Sequence, residues 1–235
     1  MLDNKTFLKV ISDSFNEYLT RGTSRSTAKL KPLHGAIAAD LAERLGNDYQ
    51  IFAQGYGCGK EQCIAGRYLD KMVDITIKNN DETIAGIGVK FVMQNYSQNS
   101  NNFFENMLGE TANIRCSRHP YFQVFIILDK LPYYDKGKNI RRWETFSEHN
   151  VAKYQALAND NAETFFHTPN KTLIFVVHIP DNESLATLDE YVSYYKKLKF
   201  EMTVSHHFYK PFGPSVVLND IAEFMEKVYH TIKSL

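Results

Sequence analysis

Phe7, Ile11, Phe15 and Tyr18 recur three to four residues apart. That is the period of a helix with one buried face, and it predicts a helix over 6–18. The same period predicts a second helix over 34–45, closed by Gly46, because glycine accepts the left-handed turn that ends many helices. A short strand over 49–54 leads into the glycine-rich segment 55–60. Residues 67–77 and 83–93 alternate apolar with polar and carry many β-branched side chains, which predicts two strands. Asn79-Asn80-Asp81 between them has the chemistry of a hairpin turn. A helix follows over 101–115, with Phe104, Met107 and Leu108 on its apolar side. Residues 121–128 are almost wholly apolar, so this strand should be covered on both faces; 172–179 reads the same way. Helices are expected over 147–158, 187–198 and 219–235, the last two capped by Thr187 and Asn219.

From the second helix onward the order is α-β-β-β-α-β, followed by further helices and strands. A hairpin feeding a helical crossover into a buried strand implies an α/β fold, a central mixed sheet flanked by helices. No linker or repeat cuts the chain, so residues 1–235 are expected to form one domain. At 235 residues, 43% of them hydrophobic, with 14 Tyr and 16 Phe, the chain can bury a substantial core. The longest apolar runs, 124–128 and 173–179, fall well short of the roughly 20 residues that cross a bilayer. The first residues lack the layout of a signal peptide, so no membrane partner and a cytoplasmic location are expected. Cys58, Cys63 and Cys116 form no CxxC pair, which points to free thiols rather than a zinc knuckle.

Two residues break the apolar pattern of the paired strands. Asp74 sits in Met-Val-Asp-Ile-Thr-Ile and Lys90 in Gly-Ile-Gly-Val-Lys-Phe-Val. An isolated charge in a buried strand is costly, so each calls for a partner or a metal ion. A hairpin would bring the two to the same end of neighbouring strands. The bland reading is a cross-strand ion pair.

This pattern resembles the PD-(D/E)XK nuclease superfamily, whose restriction-endonuclease-like core is an α-β-β-β-α-β unit. The resemblance covers about 34–128, leaving 133–235 as C-terminal elaboration. Asp74 matches the first acid and Lys90 the lysine, but Gly88 stands at the second acidic position. Some restriction endonucleases of the superfamily carry that acid on the following helix, and Glu105 looks like such a migrated residue, with Glu110 in reserve. The resemblance implies Mg²⁺, for which Mn²⁺ could substitute, held by Asp74, Glu105 and the carbonyl of Val89. Lys90 would poise the attacking water. It further implies a type II restriction enzyme cutting double-stranded DNA as a homodimer or homotetramer. A non-specific repair or defence nuclease, or a catalytically silent DNA-binding protein of the same fold, is the alternative.

Charge adds a qualification. Lys and Arg number 27, as do Asp and Glu, so the formal net charge is zero and no polybasic strategy for holding nucleic acid is available. The cations are clustered, however. Arg21, Arg25, Lys29 and Lys31 lie in an acid-free stretch, and Arg141 and Arg142 in another basic segment. Both suit phosphate contacts. Gln94, Asn95 and Asn99 follow the lysine strand and could face DNA. These placements predict a cationic cleft balanced by negative charge elsewhere. Segment 55–60 lacks the GxxxxGK[ST] spacing of a phosphate loop, and the eight histidines form no HxxxH or HExxH motif.

Overall fold

The computed structural model describes residues 1–21 and 27–235. Helix α1 (Asn4–Arg21) buries Phe7, Ile11, Phe15 and Tyr18, the residues that carry its helical period. A 3₁₀ turn, Thr27–Leu30, leads into α2 (Lys31–Leu45), whose end is capped by Gly46 at φ 79°. Strands β1 (Tyr49–Ala53), β2 (Gln62–Ile64), β3 (Lys71–Val73), β4 (Ile75–Asn79) and β5 (Glu82–Val92) follow. Then come α3 (Tyr96–Arg115), β6 (Tyr121–Leu128), β7 (Lys130–Tyr134), β8 (Ile140–Thr145) and α4 (Glu148–Ala158). The chain continues through β9 (Lys171–His178), α5 (Leu188–Lys197), β10 (Thr203–Val204), β11 (Val216–Leu218) and α6 (Ile221–Lys233).

The main sheet runs β1-β4-β5-β6-β9-β10, with β11 also paired to β9. β1, β4 and β5 are antiparallel neighbours, whereas β5–β6 and β6–β9 are parallel. The sheet is therefore mixed, and its parallel centre needs cover on both faces. Every residue of β6 is buried accordingly. On one face Phe125 meets Tyr96 of α3 and Tyr154 of α4. On the other, Phe175 receives Phe7 of α1 edge-on at 5.1 Å. The turn between β4 and β5 has Asn80 at φ 48° and Asp81 at φ 65°. Two successive left-handed residues are what a tight hairpin turn of matching twist requires.

Three boundaries differ from expectation. The strand expected over 67–77 is broken at Asp74, because that carboxylate accepts a hydrogen bond from the Val89 backbone N–H (2.7 Å). β3 pairs with β2 in a small separate sheet, and β4 with β1 and β5 in the main one. Helix α3 begins at Tyr96 rather than 101, since Tyr96 is buried against Phe125 and Phe146 and anchors the first turn. Asp220, not Asn219, caps α6: its side chain accepts from the Glu223 N–H. Asn219 sits at φ 55° and uses its side chain to accept from the Val176 N–H (2.7 Å), tying the helix to β9.

Candidate active site

The hairpin register carries the site. Ile75 pairs with Ile87, so Asp74, one residue earlier, lies across from Gly88 just before β4 begins. Beyond that end the Val89 N–H has no strand partner and donates to Asp74 Oδ2. N–H and C=O of one strand residue point to the same edge, so the Val89 carbonyl faces this opening too. In the parallel register Gly88 adjoins Gln123 and Lys90 adjoins Phe125. Alternation thus places Gly88, Lys90, Gln123 and Phe125 on the face covered by α3. All four line a cavity of about 760 Å³, together with Asp74, Lys71, Glu105 and Glu110.

The two candidate acids on α3 are not equivalent. Glu110 accepts a short hydrogen bond from the buried Tyr121 hydroxyl and pairs with Lys71 at 2.8 Å. Its negative field adds to the burial that raises the Asp74 pKa and opposes the burial that lowers that of Lys90. Glu105 is exposed, and the cation on which its field acts is Lys153. Both expected acids thus line the cavity, and of the two it is Glu110 that acts electrostatically on Asp74 and Lys90. The reason is visible at Gly88. A Cβ there would approach the Tyr121 hydroxyl to 2.8 Å and Gln123 Oε1 to 2.8 Å. The missing side chain at Gly88 leaves the room in which Tyr121 reaches Glu110.

Gly88→Ala should accordingly destabilise the protein. Gln123 ends in a flexible amide and can move, but Tyr121 is fully buried and held by Glu110. Overpacking of this kind costs about 1–3 kcal/mol. The expected result is a melting temperature lower by roughly 3–10 °C, read by thermal unfolding. An unchanged melting temperature would show that Tyr121 is not confined.

Burial sets the electrostatics. Desolvation pushes the Asp74 pKa up to about 6, against the Val89 hydrogen bond that lowers it. Lys90 reaches the cavity mouth with its Nζ 4.5 Å from the Phe103 ring centre. Its pKa is lowered, first by lost hydration, while Asp74 and Glu110 oppose that shift. Lys29 is only 6% exposed; burial first, and then the charge of Lys90, bring its pKa down to about 8.

The other expected contacts are dispersed. Lys29 belongs to the 3₁₀ turn and Lys31 opens α2, so neither is part of an extended basic loop. Arg21 ends α1 and pairs with Glu17 at 3.2 Å, while Arg25 lies outside the described residues. Segment 96–102 is helix rather than polar loop. Gln94 accepts from the Tyr18 hydroxyl (2.6 Å), and Asn99 donates to the Asn95 carbonyl (3.1 Å). Asn95 is bonded through both side-chain ends to the Tyr134 backbone at 2.9 Å, which docks the β7–β8 hairpin. Arg141 pairs with Asp135 at 2.7 Å; Arg142 contacts Ser97 and Glu144 and stacks over Tyr133. The cavity itself is lined by Asp74, Glu105 and Glu110 against Lys71 and Lys90. Arg21, Lys29, Lys31, Arg141 and Arg142 are not among its lining residues.

Two residues escape the sequence reading. His34, on the buried face of α2, is 1% exposed, with Nε2 3.9 Å from Asp74 Oδ1 and Nδ1 3.9 Å from Glu61 Oε1. Burial lowers its pKa to about 4, outweighing Glu61, so the ring is neutral at pH 7. The Glu61 pKa is raised by burial and by Asp74. The glycine-rich segment makes this approach possible. A Cβ on Gly35 would lie 2.6 Å from the Gly55 carbonyl, and one on Gly55 2.4 Å from that of Lys31. A polar residue at a buried helical position was the available signal for His34. Nothing in the local pattern marks Glu61.

Comparison of the chain with protein-family models, curated proteins and solved structures gives no match. No helix among the described residues is long and apolar enough to cross a membrane.

Proposed function

We propose that the protein is a divalent-metal-dependent endonuclease acting on double-stranded DNA, with Asp74, Glu110 and Lys90 as its working set. The observation that carries this reading is their convergence. Two carboxylates and one lysine, each coupled electrostatically to the others, share one cavity at the open end of the β4–β5 hairpin. The element order α2-β1-β4-β5-α3-β6 supports a restriction-endonuclease-like core, with β2 and β3 as an insertion between β1 and β4.

The donors suit a hard cation such as Mg²⁺, for which Mn²⁺ would substitute. Asp74 Oδ2 accepts the Val89 N–H with one lone pair, and its second lone pair would be the donor to an ion held with Glu110. Glu110 and the Val89 carbonyl would complete the oxygen set, with Lys71 and Tyr121 orienting Glu110. Such an ion, when bound, lowers the pKa of a coordinated water and shields phosphate charge. Lys90, with its proton affinity reduced by lost hydration, would orient the attacking water and stabilise charge on the pentavalent phosphorus. Water would lose a proton to solvent and attack phosphorus as the P–O3′ bond breaks, and O3′ would leave as a hydroxyl on taking a proton from solvent, giving 5′-phosphate and 3′-hydroxyl ends. One site per chain cuts one strand, so duplex cleavage calls for a homodimer or homotetramer. We read the enzyme as a sequence-specific type II restriction endonuclease.

Charge makes a separate demand. Three carboxylates against two ammoniums repel DNA, and one divalent ion reverses that balance. Duplex DNA should therefore bind at least about tenfold more tightly in Ca²⁺ than in EDTA, measured by fluorescence anisotropy at constant ionic strength. With Mg²⁺, plasmid DNA should yield discrete fragments. A smear would favour a non-specific nuclease. Metal-independent binding without any cleavage would favour the silent DNA-binding protein.

A further inference from the structure

We infer that His34, Glu61 and Asp74 form a second cation position, on the side of Asp74 away from Glu110, selective for an ion that accepts an imidazole nitrogen. One ligand atom from each residue lies within 4.8 Å of the other two. Two donors bound at about 2.1 Å to one ion are about 3 Å apart at a right angle and about 4.2 Å apart when opposite. The three side chains need to close by less than about an ångström onto an ion.

The histidine carries the inference. Both its ring nitrogens are buried without a hydrogen-bond partner, although each faces a carboxylate at 3.9 Å. Buried polar groups are nearly always satisfied, so an imidazole left unpaired beside two acids calls for a ligand, and an ion shared with both carboxylates would bind one of its nitrogens. Asp74 presents Oδ1 to this side because Oδ2 is held by the Val89 N–H. Gln54 donates to Glu61 Oε1 at 2.9 Å and orients it, as partners behind metal ligands commonly do. The close packing of Gly35, Gly55 and the Lys31 carbonyl holds α2 and the glycine-rich turn at the separation this triad needs.

Ligand type then sets the ion. Mg²⁺ prefers an all-oxygen shell, whereas one imidazole with two carboxylates suits Mn²⁺, Co²⁺ or Zn²⁺. This position shares Asp74 with the proposed Mg²⁺ site but does not depend on the nuclease reading, since it concerns binding alone.

The test is Co²⁺ titration of the metal-stripped full-length protein, followed by visible absorption and by calorimetry. One Co²⁺ per chain is expected, with d–d bands that a hundredfold excess of Mg²⁺ leaves in place. His34→Gln and Glu61→Gln should each weaken binding by at least about tenfold, and Glu110→Gln by less than about twofold. Glu61 is a fifth exposed, so its variant decides the matter even if His34→Gln fails to fold. Absence of Co²⁺ binding would overturn the inference. So would binding unchanged in Glu61→Gln, or lost in Glu110→Gln, or displaced by Mg²⁺. Mg²⁺-dependent cleavage, assayed separately, judges the nuclease reading independently.

Discussion

Glu110→Gln is expected to lower Mg²⁺-dependent cleavage by at least about a hundredfold, whereas Glu105→Gln should stay within about threefold of the parent. The two residues sit on one helix and line one cavity, yet only Glu110 acts electrostatically on Asp74 and Lys90. The glutamine amide still accepts from Tyr121, so the fold should persist. What is lost is one anionic donor and the partly exposed ion pair with Lys71, which is worth little to stability. The loss should fall in kcat at saturating DNA and should be partly recovered by raising the metal concentration. Removing the Glu110 charge should also lower the Asp74 pKa, observable by carboxyl NMR, because Glu110 is one of the causes raising it. Equal losses in both glutamine variants would show that the acid pair is misassigned.

Asp74→Asn is expected to abolish cleavage while making the metal-free protein more stable. The asparagine oxygen can keep the Val89 hydrogen bond, and the substitution removes a charge that burial disfavours. The side chain is 32% exposed, so the gain is discounted to about 1–2 kcal/mol at pH 8. The pH dependence follows from two opposed groups. The folded Asp74 pKa, about 6, lies above its ordinary 3.8, so its contribution is present at low pH and is lost as pH rises through about 6. His34 behaves oppositely. Its folded pKa of about 4 lies below 6.5, so its contribution is complete above about 6.5 and is lost as pH falls toward 4. In the parent these slopes partly cancel. In Asp74→Asn the histidine slope stands uncovered, and stability should climb more steeply from pH 4 to 6.5 in urea unfolding. A parallel shift of the two curves would contradict this assignment of charges.

Much of the fold was legible because long-period patterns report burial directly. The helical spacing of Phe7, Ile11, Phe15 and Tyr18, and the unbroken apolar run of β6, each describe their own surroundings. The turn at Asn80 and Asp81 was legible because only certain residues tolerate two left-handed conformations in succession. Asp74 and Lys90 stood out as charges among apolar neighbours. The different surroundings of Glu105 and Glu110 were not legible. Those of Glu110 depend on Tyr121, a residue of the neighbouring strand, and on the absence of a Cβ at Gly88. The partners of Gln94, Asn95 and Asn99 were hidden for a related reason. Their amides bond within the fold, to Tyr18, Tyr134 and the first turn of α3, and tertiary contacts of that kind leave no local period. His34 and Glu61 come together only because Gly35 and Gly55 allow two distant segments to touch.

The most direct measurement compares the parent with Lys90→Ala, purified in parallel and incubated with plasmid DNA and Mg²⁺. Lys90 is exposed at the cavity mouth and makes no ion pair among the described residues, so its truncation should leave the fold intact. The parent should give discrete, EDTA-sensitive cleavage, and the variant a rate at least about a hundredfold lower. Cleavage at equal rates by both proteins, or no cleavage by the parent with any divalent metal, would contradict it.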